Sequence, residues 1–315
     1  MIEKSITVKE LLKKKGKILD LKIVCSKQSL DRKITVSELN RPGLAITGYL
    51  ENFRAERVQV IGKGEYSYCL NENSAKLKEN LFKMLSFKEI PCVIITGGVK
   101  SSKYIIEACK KYNIPLLETK LDTSTLIREL TMFLDDRLAP MTALHGVLVN
   151  VYGLGVLIQG DPGVGKSECA IELLKRGHIL ISDDIVEIKR RMGYILVGKS
   201  PSTIKKFMEV RGIGIIDIEL LFGIGAIMEQ SIIEMQVFLQ SSSSVDINKY
   251  DRTGLSENKV KILDVEIPSL KIPVTPGRNL AVLIEIASLN QRLKNQGYCA
   301  AKKLNEEVIK SMKVR

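Results

Sequence analysis

The stretch GVLIQGDPGVGKSECAIELLKRGHILISDD, residues 155–184, decides the fold of the C-terminal half of this chain. It opens on an apolar run, GVLIQG, that reads as a buried strand. It passes through GDPGVGKS at 160–167, which satisfies the phosphate-loop pattern GxxxxGK[ST]. Gly160, Gly163 and Gly165 leave room for backbone N–H groups to face an anion, with Asp161, Pro162 and Val164 between them. In this pattern Lys166 reaches the terminal phosphates of a nucleotide and Ser167 holds Mg²⁺. The following helix buries Ala170, Ile171, Leu173 and Leu174 and ends at Gly177, so its N-terminus points at the bound anion. A second strand, HILIS, then delivers Asp183 and Asp184.

Adjacent carboxylates at a strand end beside a phosphate loop can divide the work. One sits near the metal and the other is free to take a proton. If the strand persists through both, they face opposite sides and one is structural. The stretch MEVRGIGIIDI at 208–218 adds Glu209, a candidate metal ligand, and Arg211, a candidate phosphate clamp. Of the two histidines, His178 reads as structural, while His145 precedes the strand pair feeding the loop and is open to either reading.

The rest of the chain bounds the answer. Its 315 residues suggest two domains, set at 1–135 and 136–315. The first is read as α/β, from a strand at 58–62, an amphipathic helix at 73–87 and a strand–helix–strand unit over 92–120 with Ser101 as N-cap. A helix at 124–139 runs into Pro140, which closes it. The Gly pair of ITGG reads as a tight turn. Six scattered cysteines, with only two histidines, read as reduced core residues rather than a zinc site. The N-terminus is too charged for a signal peptide, and the most apolar stretch, 212–227, is broken by Asp217 and Glu219. A cytoplasmic protein with no membrane partner is expected. A net charge of +12 suits phosphate-bearing ligands; without basic runs or aromatic platforms, no nucleic-acid partner is expected. The polar stretch 240–259, with SSSS at 241–244, reads as a mobile loop.

With these residues in hand, the chain resembles the bacterial HPr kinase/phosphorylase family. The resemblance runs nearly end to end, through RPGLAITGYLENFRAERVQVIGKGE (41–65), HGVLVNVYGLGVLIQGDPGVGKSECAIELLKRGHILISDD (145–184), MEVRGIGIIDI, YDRTGL (250–255) and PVTPGRNLAVLIEIA (273–287). It implies an N-terminal α/β domain, with a regulatory or assembly role, and a C-terminal phosphate-loop kinase domain resembling phosphoenolpyruvate carboxykinase. It implies phosphorylation of a regulatory serine on the phosphocarrier protein HPr by ATP or pyrophosphate with Mg²⁺. The reverse reaction uses phosphate and gives pyrophosphate, within carbon catabolite regulation.

Carried over residue by residue, the resemblance makes His145 the catalytic histidine, Lys166 the loop lysine and Arg252 the catalytic arginine. Ser167 and Glu209 become the Mg²⁺ positions, and Asp184 the general base with Asp183 beside it. Segment 208–217 serves both reactions, and 273–278 chiefly dephosphorylation. A homohexamer activated by fructose 1,6-bisphosphate is also implied. Three features depart from the family pattern: Thr253 after Arg252, Thr275 at a commonly basic position, and a serine-rich loop where acids are usual. The rival readings are a small-molecule kinase on the same loop, a nucleotide-dependent binding module and, from net charge alone, a nucleic-acid binder.

Overall fold

The computed structural model describes residues 5–71, 75–201, 206–241, 258–275 and 277–313. The chain is mixed α/β and divides into two compact units, Met1–Ala139 and Pro140–Arg315.

In the first unit β1 (Ile6–Thr7), α1 (Val8–Lys15), β2 (Lys22–Cys25), β3 (Lys33–Ile34), β4 (Leu39–Asn40) and α2 (Gly43–Ile46) lead into a regular alternation. It runs β5 (Val58–Ile61), α3 (Lys63–Asn71), α4 (Ala75–Leu85), β6 (Val93–Ile95), α5 (Lys103–Lys111), β7 (Leu116–Glu118) and α6 (Thr123–Leu138). The sheet order is β2-β7-β6-β5-β4, with β4 to β7 parallel and β2 antiparallel at one edge. Parallel neighbours need crossovers, and α4 and α5 supply them. Both cover one face through Leu77, Leu81, Met84, Leu85, Ile105, Ala108 and Cys109, while α1 and α6 cover the other.

Helix α5 is capped by Ser102, whose hydroxyl accepts from the Ile105 N–H at 3.4 Å, and not by Ser101. Ser101 is drawn away because its N–H and Oγ both donate to Glu118 Oε1 at 2.7 Å. The Gly97–Gly98 pair is the tight turn expected: its N–H groups are spent on the carbonyls of Leu121 and Thr119.

The second unit begins at Pro140 with β8 (Met141–His145), β9 (Val147–Val151), β10 (Leu154–Gly160), α7 (Lys166–Lys175), β11 (Ile179–Ser182), β12 (Ile185–Arg191) and β13 (Ile195–Lys199). It continues with β14 (Phe207–Val210), β15 (Gly214–Asp217), α8 (Ile218–Phe222), β16 (Gln230–Ile232) and β17 (Met235–Ser241). It closes with β18 (Lys259–Ile262), β19 (Val265–Val274), α9 (Leu280–Asn295) and α10 (Ala300–Lys313).

Two sheets form. A six-stranded mixed sheet has the order β11-β9-β10-β17-β19-β18, and a four-stranded antiparallel sheet has the order β16-β13-β12-β8. Leu148, Leu157 and Ile181 of the first pack on Val186, Ile188 and Leu196 of the second. Val149, Val156 and Ile158 point the other way, into a core closed by α7 and α9. Strand β10 is therefore covered on both faces, which is why Leu154–Ile158 reads as one apolar run rather than an alternation.

The chain passes between the two sheets twice near the loop end of β10, and a third time between β16 and β17, beside Gly155. It leaves the four-stranded sheet at His145 and enters the six-stranded sheet at Val147; it returns from Ser182 to Ile185. Among the described residues, no helix is long and apolar enough to cross a membrane. Five cysteines are buried and unpaired, as expected, but Cys299 lies between α9 and α10, partly exposed, and is not a core residue.

Candidate active site

The phosphate loop takes the place the sequence assigns it. Strand β10 ends at Gly160, the loop turns through Asp161–Val164, and α7 starts at Lys166 behind Gly165. The first-turn N–H groups of α7 have no partner within the helix, so they and the helix dipole face the loop mouth. The Lys166 ammonium arches across the loop, donating to the carbonyls of Gly160 and Asp161 at 2.9 and 3.0 Å. Val164 packs against the core below and donates its N–H to the Asp161 carbonyl. Arg211, in the turn between β14 and β15, lies directly on the loop. A Cβ at position 163 would stand 2.8 Å from Arg211 Nη1, so the guanidinium lies against the loop backbone, and the φ of +81° at Gly163 favours glycine there.

These groups line a cleft of about 450 Å³. It gathers His145, Gly160, Pro162, Gly163, Gly165, Lys166, Ser167, Asp183, Asp184 and Glu209, all singled out from the sequence, together with Arg211. Glu168 also lines it; its position in the first turn of α7, beside Ser167, is the signal that would have found it. Arg252, the rest of YDRTGL and most of the serine-rich stretch lie outside the described residues. Thr275 follows β19, and its carbonyl accepts from the Arg278 N–H.

The two adjacent aspartates are separated by the fold in a way that strand alternation does not describe. Strand β11 ends at Ser182, so neither aspartate is in a strand, and Asp184 turns the chain with φ +67°. Both carboxylates therefore reach the same cleft. Asp183 meets the phosphate loop: Ser167 Oγ donates to its Oδ1 at 3.2 Å. Asp184 meets the other sheet crossing: its Oδ1 is 3.5 Å from His145 Nδ1, and its carbonyl accepts from the Gly146 N–H at 2.9 Å. The His145 and Asp184 side chains are 82% and 74% exposed, so their pairing adds little stability; its meaning is positional.

Burial pushes the Asp183 carboxyl above the ordinary carboxylate range, against the pull of the Ser167 hydroxyl and of the Asp184 and Glu209 backbone N–H groups. The charge on Asp184 adds to the push. A carboxylate so placed calls for a cation. Ser167, Asp183 and Glu209 offer hard oxygen donors at the mouth of a phosphate loop, a set that fits Mg²⁺, which binds through one or two carboxylates plus phosphate oxygens.

A second partly buried carboxylate in this unit is of another kind. Glu285 on α9 receives His178 Nε2 at 2.9 Å, Tyr152 Oη at 3.3 Å and Arg176 Nη1 at 3.3 Å. Burial alone would raise it, yet His178, Arg176 and Tyr152 together hold it below the usual range. This is the structural role expected of His178.

A mixed α/β unit with a phosphate loop opening a helix, two carboxylates, a histidine and an arginine at its mouth defines a phosphate-loop kinase. The comparisons with known proteins agree. Residues 6–134 match the family described as HPr Serine kinase N terminus, and residues 136–308 match HPr Serine kinase C-terminal domain. The chain is 43% identical to an HPr kinase/phosphorylase of Listeria monocytogenes over 97% of its own length and 96% of that protein's. It is 42% identical to one from Peptoclostridium acidaminophilum over 98% of each chain. The solved Hpr(Ser) kinase/phosphatase from Coxiella burnetii is 33% identical, over 52% of this chain and 99% of that one, with a TM-score of 0.47. The chain belongs to the HPr kinase/phosphorylase family.

Proposed function

We propose that this cleft phosphorylates a serine of the phosphocarrier protein HPr and also reverses that reaction. The reading is carried by one observation: Ser167 meets Asp183 while Asp184 meets His145, so two adjacent carboxylates serve two different partners in one cleft.

In the forward direction the loop N–H groups and Lys166 bind the β- and γ-phosphates of ATP, or pyrophosphate, and neutralise charge as it shifts to the leaving group. Ser167, Asp183 and Glu209 would hold Mg²⁺, which would supply charge compensation for the phosphates when bound. The HPr serine oxygen attacks the terminal phosphorus; the new O–P bond forms as the bond to the bridging oxygen breaks. Asp184, exposed at the mouth, takes the serine proton. In the reverse direction an oxygen of inorganic phosphate attacks the phosphoserine phosphorus, the serine O–P bond breaks, and Asp184 returns the proton to the serine oxygen. Pyrophosphate leaves. His145 and Arg211 steady the attacking or departing phosphate, with Arg252 added by family resemblance.

The same resemblance supports a phosphoenolpyruvate-carboxykinase-like loop geometry, a cytoplasmic homohexamer, activation by fructose 1,6-bisphosphate and a role in carbon catabolite regulation. It also supports a regulatory or assembly role for the N-terminal unit; the 135/136 boundary read from the sequence lies four residues before the Ala139/Pro140 division of the fold. Purified protein, Mg·ATP, and HPr in wild-type and serine-to-alanine forms test the reading. Label must appear on wild-type HPr alone and be lost again, with pyrophosphate released, when phosphate is added. Phosphorylation without reversal leaves a kinase only and points at Thr275. Tight nucleotide binding without transfer sinks the reading.

A further inference from the structure

We propose that Gln159, backed by Gln236 and Ser269, is a positioning residue that holds His145 in register with the phosphate loop. The inference rests on the reading of His145 as a phosphate-steadying group in transfer.

Three polar side chains form an unbroken row across three neighbouring strands, β19, β17 and β10. Ser269 Oγ donates to Gln236 Oε1 at 2.7 Å, and Gln236 Nε2 donates to Gln159 Oε1 at 2.6 Å. Gln159 Nε2 then donates to the backbone carbonyl of His145 at 2.9 Å. Each amide accepts at one end and donates at the other, so the bonds run head to tail and polarise one another. The row lies on the face of β10 that carries Leu157, toward the four-stranded sheet. It ends at the cleft.

Apolar side chains would fill these positions more cheaply if packing were all that mattered. Gln236 is only 7% exposed, and a buried amide costs free energy unless both ends are bonded. Gln159 interrupts a strand whose preceding residues, Leu154–Ile158, are all buried. The row also does not close on another buried group. It closes on the last residue of β8, at the point where the chain leaves one sheet for the other.

That point needs an anchor. The His145 ring is 82% exposed and faces the Asp184 carboxylate at 3.5 Å, so packing does not hold the ring. Its backbone must do so. Gly146 runs hard against β10: a Cβ there would stand 2.7 Å from the Ile158 carbonyl oxygen and 3.0 Å from Gln159 Cγ. Two hydrogen bonds then pin the crossing, Gln159 Nε2 to the His145 carbonyl and the Gly146 N–H to the Asp184 carbonyl. The second ties the crossing to Asp184, which strands β11 and β12 hold from either side; the first ties His145 to the strand that carries the phosphate loop. Loss of the first lets His145 shift relative to Lys166 and Ser167, and misplacement by about 1 Å is enough to cost up to 10²-fold in rate.

The test is a double-mutant cycle in the full chain, read as HPr phosphorylation rates and nucleotide KM, with thermal unfolding alongside. Gln159→Leu should lower kcat by about 10- to 100-fold with the nucleotide KM unchanged. Added to His145→Ala, it should cost nothing further, because a group acting through His145 has nothing left to act on. Ser269→Ala should give a smaller loss in the same direction. A wild-type rate for Gln159→Leu overturns the proposal, and so does a loss that multiplies with that of His145→Ala. Should Gln159→Leu fail to fold, the pair Ser269→Ala and Ser269→Ala/His145→Ala decides by the same rule. A wild-type rate for His145→Ala alone overturns the role given to His145 and the proposal with it, and that single variant tells the two failures apart.

Discussion

Asp183 and Glu285 are carboxylates of the same unit, both withdrawn from water, and they titrate in opposite directions. Glu285 is served by a histidine, an arginine and a tyrosine, and is held low. Asp183 has one serine hydroxyl and two backbone N–H groups, and is pushed high. The difference is the presence of a cation. Evolved structural carboxylates carry their countercharge in the chain, as Glu285 does with Arg176. Among the described residues, Asp183 sits at the mouth of a phosphate loop without a paired cation, as expected of a group whose partner arrives with the nucleotide.

Four measurements sharpen or break this contrast. The largest effect belongs to activity: Asp183→Asn should lower transfer to HPr by about 10²–10³-fold, while Glu285→Gln leaves kcat unchanged. Equal losses in both variants would break the contrast. Next comes stability, by urea unfolding. At neutral pH Glu285→Gln should cost about 1–3 kcal/mol, because it weakens hydrogen bonds to a partly buried charge. Asp183→Asn should cost nothing and is expected to stabilise. The pH dependences have opposite sign. The depressed Glu285 contributes stability that is present above the unfolded carboxyl value and lost as pH falls through its folded one. The raised Asp183 contributes stability only at low pH, lost as pH rises through its folded value. Both wild-type-to-variant gaps should therefore close in acid and open toward neutral pH, in opposite directions.

The third measurement adds Mg²⁺ and nucleotide. Saturation at 100 times Kd stabilises by about 2.7 kcal/mol, a shift of a few degrees in Tm that wild type and Glu285→Gln should show and Asp183→Asn should largely lose. The smallest effect is Arg176→Ala. Its side chain is one-third exposed, so removing it from Glu285 should cost about 0.5–1 kcal/mol, diminishing with salt.

The fold was legible where the signals were local. Helix α4 shows its stripe of Leu77, Leu81, Met84 and Leu85 in the sequence, and all four are buried. The cap of α5 was misplaced by one residue because Glu118, seventeen positions from Ser101, captures that serine. Within the site, Lys166 and Ser167 were legible from spacing alone. Glu209 and Arg211 were visible as an acid and a base beside paired glycines. His145 needed family resemblance, since nothing adjacent to it in the sequence marks it. Gln159 was missed because a single polar residue ending an apolar strand is ambiguous until its neighbours in space, Gln236 and the His145 carbonyl, are known.

The amino-acid sequence by itself determined the phosphate loop and the helix behind it. Glycine, lysine and serine act there through eight contiguous residues, GDPGVGKS, and the backbone conformation they impose is local. Which aspartate meets Ser167 and which meets His145 was decided by the tertiary structure. Strand alternation sends neighbouring side chains to opposite faces, and the sequence of HILISDD does not say where the strand stops. It stops at Ser182 because the chain crosses there to a second sheet, beside the crossing at His145 and Gly146, and these two crossings are brought together only by the packing of both sheets on Leu148, Leu157 and Val186.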